Sequence, residues 1–303
     1  VWYNSTSATL KVRQSVATNA WATGGNLNTA RTSAGGIGTQ TAALAVGGET
    51  TVYVGTTESY NGTSWTTVNP LNTSRAAQGT GTQTAGLAFG GFRGPPVPTG
   101  TLTATESWAG TSWTTVNSMN TARSGGGRAG TQTAALTMGG QVVAPGALLA
   151  DTELWNGTSW TSNPTGLNTA RTNVGNGTQT AAITAGGNTG PAFTGATELW
   201  NGSTWTNNPT GLNTVRSGVT MSGTQTAALG FGGNIPPLSG ATEIWNGSTW
   251  TSNPTGLATA RSAGGNGTQT AAIIFGGELP GGMTAATEEW TGTVISTNTV
   301  TVS

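Results

Sequence analysis

Gly130-Thr131-Gln132-Thr133-Ala134-Ala135-Leu136-Thr137-Met138-Gly139-Gly140 decides the reading of this chain, because close copies of the stretch recur along it. The Gln of Gly-Thr-Gln-Thr stands at Gln40, Gln83, Gln132, Gln179, Gln225 and Gln269, in steps of 43, 49, 47, 46 and 44 residues. Self-similarity at such a period means a repeat architecture. Each copy keeps the same landmarks in the same order. In the third these are Arg123, Gln132, the apolar run before Gly139-Gly140, then Glu153, Trp155, Asn156-Gly157 and Trp160. Short runs rich in Ala, Thr, Trp and Ile between Gly and Asn turns read as strands, about four to a repeat. The first begins after the Arg, the second is the apolar run, the third carries the Glu and an aromatic residue, and the fourth carries the second Trp. Asn-Gly between the third and fourth predicts a two-residue type I′ hairpin with both turn residues at positive φ. That register sets Trp155 opposite Thr158 and Glu153 opposite Trp160. Glu153 and both Trp side chains then share one face, which offers an aromatic pair to the neighbouring blade.

Four short strands repeated six times fit an all-β, six-bladed β-propeller of four-stranded blades, whose radial repetition protects its sheet edges. The chain ends bear on closure. The last copy runs from Arg261 through Glu288 and Trp290 but lacks the second Trp, while Trp21 stands ten residues before Arg31, as Trp65 does before Arg75 and Trp113 before Arg123. The strand around Trp21 is therefore expected to complete the C-terminal blade and close the ring; an open array with capping repeats is the alternative. The expected organisation is an N-terminal extension or linker hairpin over 1–17, the propeller over 18–292 and a tail over 293–303.

Composition agrees. With 50 Gly and only 7% charged residues, the 303-residue chain is poor in helix formers, and its 12 Trp are too many for a disordered segment. Lys and Arg number 10 and Asp and Glu 10, so there is no net charge to draw the chain to nucleic acid or anionic lipid. So neutral a surface suits a subunit of an assembly, a homo-oligomer among the options. The absence of Cys and His removes disulfides, thiolate metal sites and an ordinary switch near neutral pH. No cofactor or metal is expected. No apolar run reaches the ~18 residues that span a bilayer, no signal peptide is visible, and a start at Val1 reads as a fragment or processed product.

The landmarks resemble kelch repeats, the propeller family that includes the central domain of galactose oxidase. The resemblance lies in Thr259-Ala260-Arg261, the strand ending at Gly276-Gly277, and Glu243, Trp245 and Trp250. The tight spacing of that aromatic pair departs from the usual kelch pattern. A narrower resemblance is to kelch-like proteins of marine and cyanobacterial bacteriophages. It rests on Asn28-Thr29-Ala30-Arg31, Gly38-Thr39-Gln40-Thr41, Asn61-Gly62-Thr63-Ser64-Trp65, the opening around Trp2-Tyr3-Asn4 and the ending around Glu288-Glu289-Trp290. It implies a virion component, such as a tail fibre, tail-associated protein or capsid decoration. The implied partners are other virion or assembly proteins and possible host-surface glycans or proteins; the implied location is the virion, with the cell surface as alternative.

Arg31, Arg75, Arg123, Arg171, Arg216 and Arg261 recur with Glu58, Glu106, Glu153, Glu198, Glu243 and Glu288. A catalytic site is singular and breaks a repeat, so these groups read as architectural ties between blades, through Arg to Glu or Arg to backbone carbonyl contacts. Asn61, Asn156, Asn201 and Asn246 match a glycosylation acceptor pattern, yet turn chemistry already accounts for Asn-Gly there. Without His or Cys, copper oxidase chemistry is excluded. A sialidase-like glycosidase lacks its Asp-box pattern, Asp151 being the only Asp. No enzyme is expected. What varies is the loop after each Gly-Gly, at 49–55, 92–103, 141–149, 188–195, 234–240 and 278–285. These loops should share one rim with the connections between blades, and loops on a rigid scaffold are where specificity sits. Tyr53, Phe92, Arg93, Phe193, Leu238 and Met283 are its bulky candidates; drift on an unselected surface is the alternative reading.

Overall fold

Alternation of small and large residues over four- to nine-residue runs, broken by glycine turns, gives each repeat the four strands of an antiparallel blade. In a computed structural model, which describes residues 2–4, 9–16, 19–95, 99–143 and 146–301, six such blades form a ring. Blade 3 is representative, with strands Gly127–Gly130, Ala135–Met138, Thr152–Trp155 and Trp160–Asn163 paired in chain order. Blade 6 takes Ser262–Gly267, Ala271–Leu279 and Thr287–Thr291 from the C-terminal end and Ala20–Gly24 from the N-terminal end. Trp21 pairs with Trp290 there, so the ring is closed as the Trp spacing required. Beyond the ring, Trp2–Asn4, Thr9–Val16 and Val294–Thr301 form a separate three-stranded sheet, which joins the expected extension to the expected tail. Positions 1, 5–8, 17–18 and 302–303 of those segments, and 96–98 and 144–145 of the variable loops, lie outside the described residues.

The hairpin register differs from the expected one. Trp155 lies directly opposite Trp160, and Glu153 opposite Ser162. The turn holds four residues because Asn156 folds back on it: its Oδ1 accepts the backbone N–H of Thr158 and of Ser159, both at 2.9 Å. This Asx turn leaves only Gly157 at positive φ, 91°. Glu153, Trp155 and Trp160 still share a face, since both registers keep the same side-chain parity. The two indoles stack obliquely with centroids 5.5 Å apart and bury against Leu87 and Phe89 of blade 2 and Met119 of the connection between blades 2 and 3. Each buried Trp contributes on the order of 4–6 kcal/mol of transfer free energy as an upper figure. Trp160 Nε1 also donates to Thr105 Oγ1 of blade 2 at 3.0 Å, and the equivalent bond recurs around the whole ring.

The Gly-Thr-Gln-Thr turn supplies a second tie. Gln132 Nε2 donates to the carbonyls of Gly86 (3.3 Å) and Trp108 (2.6 Å) in the preceding blade, and the other five Gln repeat the pattern. The Gly-Gly step is a third. Gly140 N–H donates to the carbonyl of Arg171 at the start of the next blade. A Cβ on Gly139 would stand 2.8 Å from that oxygen, so only glycine lets the chains approach.

The blades alternate. Arg31 to Gln40, Arg123 to Gln132 and Arg216 to Gln225 span nine positions, whereas the other three Arg to Gln steps span eight. The longer blades take up the extra residue in a left-handed conformation, at Ser33 (φ 55°), Gly125 (φ 60°) and Gly218 (φ 57°). The shorter ones start their inner strand earlier, with bulges between Ala76 and Gln78, Thr172 and Val174, and Ser262 and Gly264. The ring has pseudo-threefold as well as sixfold character.

Candidate functional site

Each repeated Arg lies in the connection entering a blade and reaches the Glu of that same blade's third strand. Arg31 pairs with Glu58, Arg75 with Glu106, Arg123 with Glu153, Arg171 with Glu198, Arg216 with Glu243 and Arg261 with Glu288. These side chains are almost wholly out of solvent. The second carboxylate oxygen serves the connection itself, as where Glu198 Oε2 accepts Asn168 N–H and Asn168 Nδ2, both at 2.7 Å. The ion pair is thus internal to one blade, and the contact between blades comes from the Arg main-chain carbonyl and the preceding Gly-Gly. Burial holds the Arg75 guanidinium below its ordinary pKa despite Glu106. All six Glu are committed to structure, and the recurring pairs offer no free acid or base.

The other candidates stand on the rim where the variable loops meet the connections between blades. Tyr53 and Phe92 come together, edge to face with centroids 5.3 Å apart, and both line a cavity of about 450 Å³ at the mouth of the ring axis. Burial, then the charge and hydrogen bond of Glu49, push the Tyr53 hydroxyl up to about 12. The remaining candidates do not join them. Arg93 is half-buried with its Nε unpartnered, Phe193 and Leu238 bridge back to Asn188 and Asn234 within their own loops, and Met283 lines a second cavity beside Glu49 and Glu278.

Arg128 shapes the floor of the axial mouth. It sits four positions before Gln132, where the other copies have Gly36, Gly79, Gly175, Met221 and Gly265. Its side chain enters the central channel, and its Nη2 donates to the carbonyl of Gly265, in the opposite blade, at 3.1 Å. Part of its surface faces the cavity while protein encircles it, and burial pushes its pKa down to about 10, so it stays charged at neutral pH. Among the described residues no carboxylate pairs with it. Ser33, Gln78, Ser124, Gln141 and Ser262 complete a polar lining. Attention to the repeated charges and the loops misses Arg128, although the signal was present: it is the one cation that breaks the repeat inside a strand otherwise built of small residues.

No family model matches the chain, and no curated protein matches it. Among solved structures it is similar to that of YjhT, with a TM-score of 0.70 and 12% identity over 91% of this chain and 99% of that one. At that identity the likeness shows the propeller fold alone.

Proposed function

We propose that this chain is a non-enzymatic, kelch-type binding and structural component of a bacteriophage virion, one that presents the variable rim of its propeller to a partner. The observation that carries the reading is the asymmetry between the rims. One carries the same Gly-Thr-Gln-Thr turn in all six blades and an Asn-Gly turn in four of them, as a face that packs in an assembly would. The other gathers loops of differing length and sequence around a mouth lined by Tyr53 and Phe92. The sequence resemblance to phage proteins supplies the setting. A half-buried aromatic pair beside polar groups also suits a glycan, which favours an adhesin as the second reading.

The test is to replace residues 92–103 with the shorter 49–55 loop. Altered host attachment by particles of normal composition is the expected result. Loss of the protein from the particles would instead assign that rim to packing.

A further inference from the structure

We infer that the axial mouth is a binding site for a small oxyanion, a carboxylate or phosphate group carried on a hydrophilic ligand, with the Arg128 guanidinium as its anchor. The inference rests on reading this rim as the binding face. Six of the described Arg side chains are neutralised by a Glu held in the same blade; Arg128 is not. A buried cation without a partner is unfavourable, and an inner strand of glycines would close the channel without one. The position shows as much, since glycine fills it in four blades and Met221 in another.

The guanidinium donates one bond, from Nη2 to the Gly265 carbonyl, and the half-buried side chain lines the cavity. A planar fork of donors matches a two-oxygen acceptor. Among the described residues Arg128 is the one charged side chain that lines the mouth; the nearest carboxylate there, Glu49, is engaged by the Tyr53 hydroxyl at the edge. Ser33, Ser124 and Gln141 add hydroxyl and amide groups for a ligand's neutral hydroxyls, and Tyr53 and Phe92 supply an apolar wall. A volume near 450 Å³ accommodates a ligand about the size of a monosaccharide.

Isothermal titration of the purified full chain with glucuronate, inorganic phosphate and neutral glucose tests the site. Glucuronate or phosphate should bind and glucose should not, and the preferred anion identifies which group the site takes. Arg128→Met borrows the side chain of blade 5 at this position and should weaken binding at least tenfold, while Arg128→Lys keeps part of it. Crystals of the unaltered chain soaked with selenate give a reading independent of any variant's folding, with anomalous density expected against the Arg128 guanidinium. No binding of either anion, or binding undiminished in Arg128→Met, overturns the inference. Because the test uses the isolated protein, its failure leaves a virion role standing, and loss of the virion role leaves the anion site standing.

Discussion

Replacing Glu198 by Gln keeps the volume of a fully buried side chain and removes its charge. Arg171 would lose its 2.5 Å carboxylate partner, and the Asn168 N–H and Nδ2 would face an amide where a carboxylate stood. Arg171 has little to fall back on, since its Nε and Nη2 are already buried without partners. An uncompensated buried charge of this kind destabilises by about 3–5 kcal/mol. With a urea dependence of about 3 kcal/mol per molar, the unfolding midpoint should fall by roughly 1–2 M. Tryptophan fluorescence reads it, because the Trp pairs lie between blades. Replacing both partners, as Arg171→Met with Glu198→Leu, should recover most of the loss, since an apolar pair leaves no charge to solvate. A single-variant loss below about 1 kcal/mol would show that water reaches the pair, contrary to the burial argued above. A double variant no better than the single would mean that the Asn168 bonds, rather than charge neutralisation, hold the connection.

Gln132→Ala removes the bonds to the Gly86 and Trp108 carbonyls and to Ser107 Oγ of blade 2, and should lower stability by about 1–3 kcal/mol in a urea melt without changing the sheet content seen by circular dichroism. Deleting residues 1–24 takes away the strand that pairs Trp21 with Trp290, and the chain should lose its single cooperative melt; a melt like the parent's would refute closure. Tyr53 and Tyr60 should ionise near pH 12 in an ultraviolet titration, both held neutral chiefly by burial and next by Glu49 and Glu289 respectively. Since their folded values lie above the unfolded value of 10.0, the stability they confer is whole below pH 10 and is lost as pH rises toward 12. Ionisation of both at pH 10 would contradict their placement.

The repeat period, the strand order and the closing role of Trp21 were legible because each depends on spacing along one chain. The hairpin register was not. Asn-Gly fits a two-residue turn by its φ preference, but here the Asn156 side chain caps the next two N–H groups, and that competition is invisible to a turn rule. The work of Gln132 was hidden because its acceptors lie in another blade and two of the three are main-chain carbonyls, which carry no sequence signature. The ion pairs were legible as residues, yet their closure within one blade depends on how the connection runs. Of the rim candidates, Tyr53 and Phe92 meet because blades 1 and 2 are neighbours, while Phe193, Leu238 and Met283 belong to loops that fold on themselves or face another cavity. The alternation of nine and eight residues from Arg to Gln, and the lone Arg128 among glycines, were both present in the sequence. They gain meaning only once the inner strands are seen to surround an axis.

Immunogold electron microscopy of native particles, with an antibody raised to the isolated propeller, tests the virion assignment most directly. Label on virion heads or tails is the predicted result, and its position would separate decoration from fibre. Label found only on cells or on free filaments would contradict the assignment and leave the cell-surface adhesin in its place.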